Sequence, residues 1–219
     1  MEIENLKNIS KQENYVRWIY DLIKPHIKGN VLEVGAGVGA LTKLIEKQNN
    51  VYSIDIKAYD SYYSKTKPKI FDITENPSGL SKKFDTIICT NVLEHIKEDV
   101  GAIKNMNKLL KKEGSLILLV PAFKTIYGKI DKANNHYRRY TKKEILDKIE
   151  LSNLKVKLVK YHNFIGLIGW IYQNKIIKKG KHRMVDLDRF NRFSPLFQKI
   201  ESVIPPLVGL SIFLKCEKR

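Results

Sequence analysis

The segment VLEVGAGVG at residues 31–39 constrains the fold more than any other part of this chain. It begins as an apolar run that carries one acid, Glu33, and it ends in three alternating glycines, Gly35, Gly37 and Gly39. A helix-like segment follows at once. Glycine has no Cβ and tolerates positive φ, so a glycine turn lets the main chain approach a ligand closely. This order predicts a buried strand, a ligand-binding turn and a helix.

Further strand-like and helix-like segments alternate along the rest of the chain. Two nearly continuous apolar runs, FDTIICT (84–90) and SLILLV (115–120), are typical of parallel strands that helices cover on both faces. The alternation in LKVKLVKY (154–161) and the mixed run LSIFLKCEK (210–218) indicate strands near an edge, which favours antiparallel pairing. We also predict strands at 31–34, 51–55 and 70–73, and a helix after residue 90 that continues through Leu110 and stops at Gly114.

The chain is strongly basic. It has 40 lysines and arginines against 23 acids, a net charge of +17, and residues 151–200 hold eleven bases against two acids. Such a field favours anionic partners, which include RNA, phosphorylated metabolites and an anionic membrane surface. The alternative is a lysine-rich composition that only keeps the protein soluble.

Composition also predicts the cellular setting. No apolar run approaches the ~18 residues of a membrane span, and the polar N-terminal residues lack the apolar core of a signal peptide. Cys89 and Cys216 lie in apolar runs, so we expect reduced, buried thiols, a cytoplasmic protein and no metal site.

We expect one domain over 1–219. Its parts are an N-terminal helix (11–28), a cofactor-binding core (30–161), an insertion or lid (162–208) and a last strand (209–218).

The glycine turn alone fits two classes of cofactor. Gly35, Gly37 and Ala40 satisfy the G-x-G-x-x-G/A pattern of dinucleotide folds, and Asp55 follows Gly35 by twenty residues. A carboxylate at that position accepts hydrogen bonds from ribose hydroxyls in a dinucleotide or in S-adenosylmethionine. The turn therefore leaves both cofactors open.

Three other features favour S-adenosylmethionine. Glu33 lies within the first strand, and a buried acid is costly unless a cation such as an ammonium or sulfonium compensates it. Asp72 is predicted at the carboxyl edge of the sheet, where it can accept a bond from an adenine amino group. The fourth strand then runs into Asn-Val-Leu-Glu-His at 91–95.

These motifs, in order, resemble those of class I S-adenosylmethionine-dependent methyltransferases. The matching segments are VLEVGAGVG, SIDI, FDIT, FDTIICTNVLEHI and LLKKEGSLILLVPA, which cover roughly residues 30–161 together with the terminal strand. The resemblance implies an α/β, Rossmann-like, doubly wound sheet of seven mostly parallel strands with an antiparallel last strand. It also implies roles for particular residues. Gly35, Ala36, Gly37 and Gly39 would contact the methionine part, Asp55 the ribose, Asp72 and Ile73 the adenine, and Asn91 and Val92 the methionine or adenine edge.

The segment 127–144 is the best candidate for contact with the acceptor. A Thr141–Glu144 capping box predicts that a helix begins there, so the preceding HYRRY lies in the loop after strand five. HYRRYT resembles the H-x-R-x-[FY]-[ST] segment of many small-metabolite methyltransferases. In that setting His136 would be a general base and Arg139 would hold a carboxylate or phosphate. His95 would face the substrate. The alternatives are structural roles for these residues and catalysis by proximity without a base.

The insertion 162–208 mixes aromatic and basic residues. It is interpreted as an amphipathic element on an anionic membrane, as a lid over the active site, or as an ordinary packed helix. It loosely resembles the tail of methyltransferases of cell-envelope polysaccharide genes. We therefore expect methylation of an oxygen or nitrogen in a small-molecule or lipid- or sugar-linked, anionic acceptor at the inner face of the membrane. The alternatives are an RNA methyltransferase, which the charge favours, and a non-enzymatic cofactor-binding or membrane-surface protein.

Overall fold

A seven-stranded sheet forms the centre of the protein. The computed structural model describes residues 12–59, 63–80, 82–173 and 184–219. Within these ranges the strand order is β3-β2-β1-β4-β5-β7-β6, and β7 alone runs antiparallel to its neighbours. This confirms the predicted Rossmann-like α/β sheet with an antiparallel last strand. The strands are β1 (Val31–Val34), β2 (Val51–Asp55), β3 (Lys69–Ile70), β4 (Phe84–Thr90), β5 (Leu110–Pro121), β6 (Leu154–His162) and β7 (Ser211–Lys218).

Helices cover both faces of the sheet. Successive side chains of a strand point to opposite faces, and in β1 Leu32 joins an apolar cluster that includes Ile103 while Val31 joins a second cluster that includes Ile23. No helix in the described ranges is long and apolar enough to cross a membrane. The helices are α1 (Glu13–Ile23), α2 (Thr42–Ile45), α3 (Asp99–Leu109), α4 (Lys129–Ala133), α5 (Lys142–Leu151), α6 (Phe164–Ile171) and α7 (Met184–Val203).

The strand order reverses at β1. This strand pairs in parallel with β2 on one side, where Val31 lies opposite Val51, and with β4 on the other, where Val31 lies opposite Thr86. The chain therefore leaves β1 and β4 in opposite lateral directions, which opens a crevice at their carboxyl ends. Open α/β sheets bind ligands at this position.

Several boundaries differ from those predicted. The helix expected to run through Leu110 ends at Leu109, because Leu110 already pairs with Phe84 at the start of β5. Within β5, Glu113 has a φ of 61°, close to the point where the pairing of β5 with β4 shifts its register. β3 ends at Ile70, so Asp72 lies in the turn that follows rather than in the strand.

The other helical predictions agree in part with the structure. Helix α5 begins with the predicted capping box, in which Glu144 N–H donates to Thr141 Oγ1 and Thr141 N–H donates to Glu144 Oε2. The helix predicted at 11–28 is shorter, because a 3-10 turn replaces it at Lys24–His26, and residue 11 lies outside the described residues. The insertion contains α6 and α7, while 174–183 also lie outside them.

A buried carboxylate ties the loop after β5 to two helices. Asp99, the first residue of α3, accepts hydrogen bonds from Arg138 Nη1 at 2.9 Å, Tyr140 Oη at 2.9 Å and Lys148 Nζ at 2.7 Å. Asp99 is buried, so its charge depends on these donors rather than on water. The network thereby holds the HYRRY loop against α3 and α5.

Replacing Asp99 should destabilise the protein strongly. Asp99→Ala leaves Arg138 and Lys148 without their buried partner, so we expect the free energy of unfolding to fall by about 3 kcal/mol. Asp147→Ala is the matched control, because the ion pair of Asp147 with Lys143 is exposed. Urea unfolding of both variants measures the difference. Equal stabilities would contradict the structural role of Asp99.

Candidate active site

One large cavity opens at the carboxyl edge of the sheet, where the strand order reverses. Its volume is about 1020 Å³. Its described lining comes from the turn after β1, from the loops after β4 and β5, and from the helices α1, α6 and α7. The cavity therefore joins the region predicted for the cofactor to the insertion, whose role the sequence left open.

Positive φ angles shape the turn after β1. Gly35 has a φ of 74° and Gly39 a φ of 79°, values that side chains rarely adopt. A Cβ at Gly35 would also collide with the Val92 side chain, and one at Gly39 with Ser64. These two glycines are therefore required by local geometry as well as by any ligand.

Asp55 links the turn to the end of β2. Its Oδ2 accepts a hydrogen bond from Gly37 N–H at 2.7 Å and its Oδ1 accepts one from Lys57 N–H at 3.1 Å. Burial raises the pKa of the Asp55 carboxyl, although these backbone donors oppose the shift. The carboxylate thus helps to hold the turn in place.

Glu33 is the buried acid of β1. Thr42 Oγ1 donates to its Oε2 at 2.6 Å, and Glu33 lines the cavity. Burial raises the pKa of this carboxyl to about 7, against the effect of Thr42 and with added repulsion from Asp55 and Glu46. A carboxylate in this position is stabilised by a cationic ligand in the cavity.

The structure gathers most of the predicted site residues in the cavity but not all of them. Asp72 Oδ1 accepts hydrogen bonds from the N–H and hydroxyl of Thr74, and Ile73 packs in the core, so their roles at the adenine stay predictions. The predicted site residues that line the cavity are Glu33, Gly35, Ala36, Gly37, Asn91, His95, His136 and Arg139. The predicted residues that do not appear in its described lining are Gly39, Asp55, Asp72, Ile73 and Val92.

Two of the predicted catalytic residues lie side by side at the polar end of the cavity. The His95 and His136 rings meet edge to face, with centroids 4.7 Å apart. Glu94, which the sequence analysis did not select, lies beside them at 1% exposure. Burial raises the pKa of its carboxyl to about 7, against the effect of His136. The Glu-His dipeptide at 94–95, in the segment that follows β4, is the sequence feature that could have identified Glu94 as a site residue.

A second missed residue, Asp131 in α4, organises the HYRRY loop. Its Oδ1 contacts His136 Nδ1 at 3.0 Å and accepts a hydrogen bond from Arg139 Nε at 2.8 Å, while its Oδ2 accepts one from Gly128 N–H at 2.9 Å. Asp131 is fully buried. No spacing rule connects these residues, so the sequence offered no signal for the contact.

Arg139 lines the cavity, but its side chain is buried and its charge is balanced by Asp131. Its role in holding a substrate carboxylate or phosphate stays a prediction. Its Nη1 donates to the Ala122 carbonyl at 3.1 Å, and the guanidinium lies 4.1 Å from the centre of the Trp170 ring. Arg139 therefore contacts both Asp131 and the aromatic ring of Trp170.

Aromatic side chains form the wall opposite the glycine turn. Phe190 of α7 lies 5.6 Å from Tyr15 of α1 and 5.7 Å from Phe197, measured between ring centroids. The backbone N–H of Asn14 donates to Asn191 Oδ1 at 3.0 Å, which fixes α7 against α1. Part of the insertion thus lines the cavity, and its role as a lid stays a prediction.

Comparison with known proteins identifies relatives of this chain. A family model described as "Methyltransferase domain" matches residues 12–157. A ubiquinone biosynthesis O-methyltransferase of Actinobacillus pleuropneumoniae is 24% identical over 171 residues, 66% of this chain and 73% of the relative. Nodulation protein S of Azorhizobium caulinodans is 31% identical over 103 residues, 42% of this chain and 49% of the relative. A polyketide synthase–nonribosomal peptide synthetase of Aspergillus clavatus matches over only 3% of its length.

Solved structures share the fold at low sequence identity. A SAM-dependent methyltransferase from Archaeoglobus fulgidus has a TM-score of 0.61 and 16% identity, over 93% of this chain and 94% of the other. A Burkholderia thailandensis 1,6-didemethyltoxoflavin-N1-methyltransferase has a TM-score of 0.62 and 14% identity, over 99% and 84%. Because the family model covers more than half of the chain, the chain belongs to the class I S-adenosylmethionine-dependent methyltransferases, and S-adenosylmethionine is its cofactor.

Proposed function

We propose that this protein transfers a methyl group from S-adenosylmethionine to an oxygen or nitrogen of a small-molecule or lipid- or sugar-linked acceptor with an apolar body. The observation that carries the proposal is the continuity of the cavity. Residues of the glycine turn, the aromatic residues of α1, α6 and α7, and Glu94, His95 and His136 all line this one cavity. Such a cavity brings a cofactor and an acceptor together, and alignment supplies much of the rate of a transfer reaction.

The residues of the first wall fit the cofactor. Glu33 is a buried acid that faces the cavity and would pair with the amino group of the methionine part. We propose that Gly35, Ala36, Gly37 and Gly39 lie along that part and Asn91 and Val92 at its edge. Asp55 would bind the ribose, with Asp72 and Ile73 at the adenine. When bound, S-adenosylmethionine supplies an electrophilic methyl group.

The second wall favours an apolar acceptor. Its aromatic residues, Tyr15, Trp170, Phe190, Phe193 and Phe197, offer large faces and few charges. Two arginines are in the described lining of the cavity: Arg139 is paired with Asp131, and Arg189 belongs to α7.

His95 and His136 would orient the nucleophile of the acceptor. Their rings and the Glu94 carboxylate form the polar end of the cavity between its two walls. The contact with Asp131 fixes the His136 ring, which suits a group that must hold a reacting atom. Proton abstraction by His136 stays a prediction.

We also propose that α7 rests on an anionic membrane surface. A row of apolar side chains at helical spacing faces outward, and it continues into Leu207, which is 91% exposed. Monomeric proteins rarely expose apolar patches of this kind. The sequence 174–183, between α6 and α7, contains five lysines and arginines and no acid, which favours anionic headgroups. The exposed apolar residues that form this row in α7 and at its end are Phe193, Leu196, Ile200, Val203 and Ile204.

The proposed membrane contact would give the acceptor a route into the cavity. Ile168 of α6, Tyr172 directly after α6 and Phe193 of α7 are exposed, and they also line the cavity. The apolar face is therefore continuous with the entrance of the cavity. A lipid-linked acceptor would reach the methyl group from the bilayer without crossing water.

Cofactor binding should release protons through Glu33. The ammonium of S-adenosylhomocysteine favours the ionised carboxylate, so its binding lowers a pKa that starts at about 7. The affinity should therefore rise as the pH increases from 6 to 8. Calorimetry in buffers of different ionisation enthalpy at pH 7 measures the released protons. Glu33→Gln should abolish the release and flatten the pH dependence, and unchanged proton release in this variant would contradict the assignment.

A labelled-cofactor screen tests the activity itself. The protein is incubated with methyl-labelled S-adenosylmethionine and the lipid, polar-metabolite and RNA fractions of the source cell. We expect label in the lipid or small-molecule fraction, and none with Asp55→Ala, which removes the carboxylate that supports the Gly37 turn. Label in RNA alone would support the RNA methyltransferase alternative and overturn the proposal.

Substitution of one exposed residue tests the membrane face. Ile204→Glu should weaken sedimentation with phosphatidylglycerol-containing vesicles about tenfold, because burial of one such side chain contributes about 1.5 kcal/mol or more. Leu151→Glu is the matched control on α5, since Leu151 is 66% exposed and Ile204 is 70% exposed. Equal binding by both variants would contradict the proposal. So would a loss of self-association in Ile204→Glu without any loss of vesicle binding.

A further inference from the structure

We infer that Glu94, His95 and His136 form a binding site for a divalent first-row transition metal ion, which would hold an oxygen of the acceptor. One carboxylate oxygen of Glu94 and one ring nitrogen of each histidine all lie within 4.8 Å of one another. Two imidazoles and a carboxylate suit ions such as Zn²⁺, Co²⁺ or Fe²⁺ better than Mg²⁺ or Ca²⁺, which prefer oxygen ligands. This proposal rests on the proposed function and replaces the expectation of no metal site.

The Glu94 carboxylate is the second, independent observation. It is 1% exposed, and its Oε2 has no hydrogen-bond partner among the described residues. A buried carboxylate oxygen without a donor is costly, and proteins rarely leave one unsatisfied. Glu94 also lines the cavity. A cation between Glu94 and the two histidines would supply the missing interaction.

Asp131 provides the outer support that a metal-binding histidine requires. Histidines that bind metals almost always donate their other ring N–H to a carboxylate or carbonyl, which fixes the ring and its tautomer. His136 Nδ1 lies 3.0 Å from Asp131 Oδ1, so the other ring nitrogen is the one that faces a ligand. Asp131 is itself held by Arg139 and by Gly128 N–H.

The ligand set leaves room for the acceptor. Metal–ligand bonds of about 2.0–2.2 Å place neighbouring ligand atoms roughly 3–4 Å apart, so small rotations of the two imidazoles would complete the site. Three protein ligands leave open coordination positions, as in catalytic metal sites. Because all three residues line the cavity, an open position would face the acceptor. The ion would then orient a hydroxyl or carbonyl oxygen of the acceptor toward the cofactor.

Metal binding can be measured without any acceptor. Untagged protein is stripped with a chelator and titrated with Co²⁺ by absorbance and with Zn²⁺ by calorimetry. We expect one equivalent in the wild type. Glu94→Gln, which keeps the shape of the side chain, should lose it. His26→Ala, which removes a histidine of the 3-10 turn after α1, should retain it.

A positioning variant keeps the test falsifiable if Glu94→Gln fails to fold. Asp131→Asn should retain the single equivalent but weaken the affinity about 10–100-fold, as loss of outer support does at other metal sites. Unchanged affinity in a folded Asp131→Asn variant, or no bound equivalent in the wild type, would overturn the proposal.

The outcomes separate this inference from the proposed function. If the stripped protein binds S-adenosylhomocysteine and labels the lipid or small-molecule fraction at the full rate, the metal does not hold the acceptor, so the inference fails and the methyltransferase assignment stands. If the protein binds one equivalent of metal but no S-adenosylhomocysteine, the proposed function fails and the metal site remains. Activity that falls on chelation and returns with one equivalent supports both.

Discussion

The pairing of β1 with strands on both sides is the interaction on which the rest of the structure depends. Because β2 and β4 both run parallel to β1, the chain diverges where these strands end. The turn stays bound to the sheet through the Ile54 carbonyl, which accepts hydrogen bonds from Gly35 N–H at 2.9 Å and Ala36 N–H at 3.2 Å. The cofactor end of the cavity is thus built mainly from main chain, so its shape follows from strand pairing.

The acceptor end depends on buried charge instead. Asp99 and Asp131 are both buried, and each accepts bonds from cationic or imidazole side chains of the HYRRY loop. Backbone hydrogen bonds also hold this loop, among them Tyr137 N–H to the Glu94 carbonyl and Tyr140 N–H to the Pro121 carbonyl, both at 2.8 Å. Buried ion pairs add little net stability on average, but a missing partner is strongly penalised. In this protein they determine where His136 stands relative to His95.

Helix α7 connects the cavity to its surroundings. Phe190 and Phe197 turn toward the cavity, whereas Ile200 and Ile204 face outward. α7 therefore has apolar side chains on two faces, whereas a helix that packs only against the sheet needs them on one face. The methyltransferase fold, the aromatic wall and the exposed row together favour an acceptor that arrives from an apolar phase.

Local patterning was enough to predict the strands and the cofactor class. β4 has the predicted bounds, and the glycine turn and the Thr141–Glu144 cap were identified because each depends on neighbours in the chain. The start of β5 at Leu110 was missed, since it depends on pairing with Phe84. Tertiary structure alone decided that Asp131 contacts His136 and Arg139 and that Glu94 lies near His136. The spacing of these residues along the chain follows no helix or strand period, so the sequence does not predict that they meet.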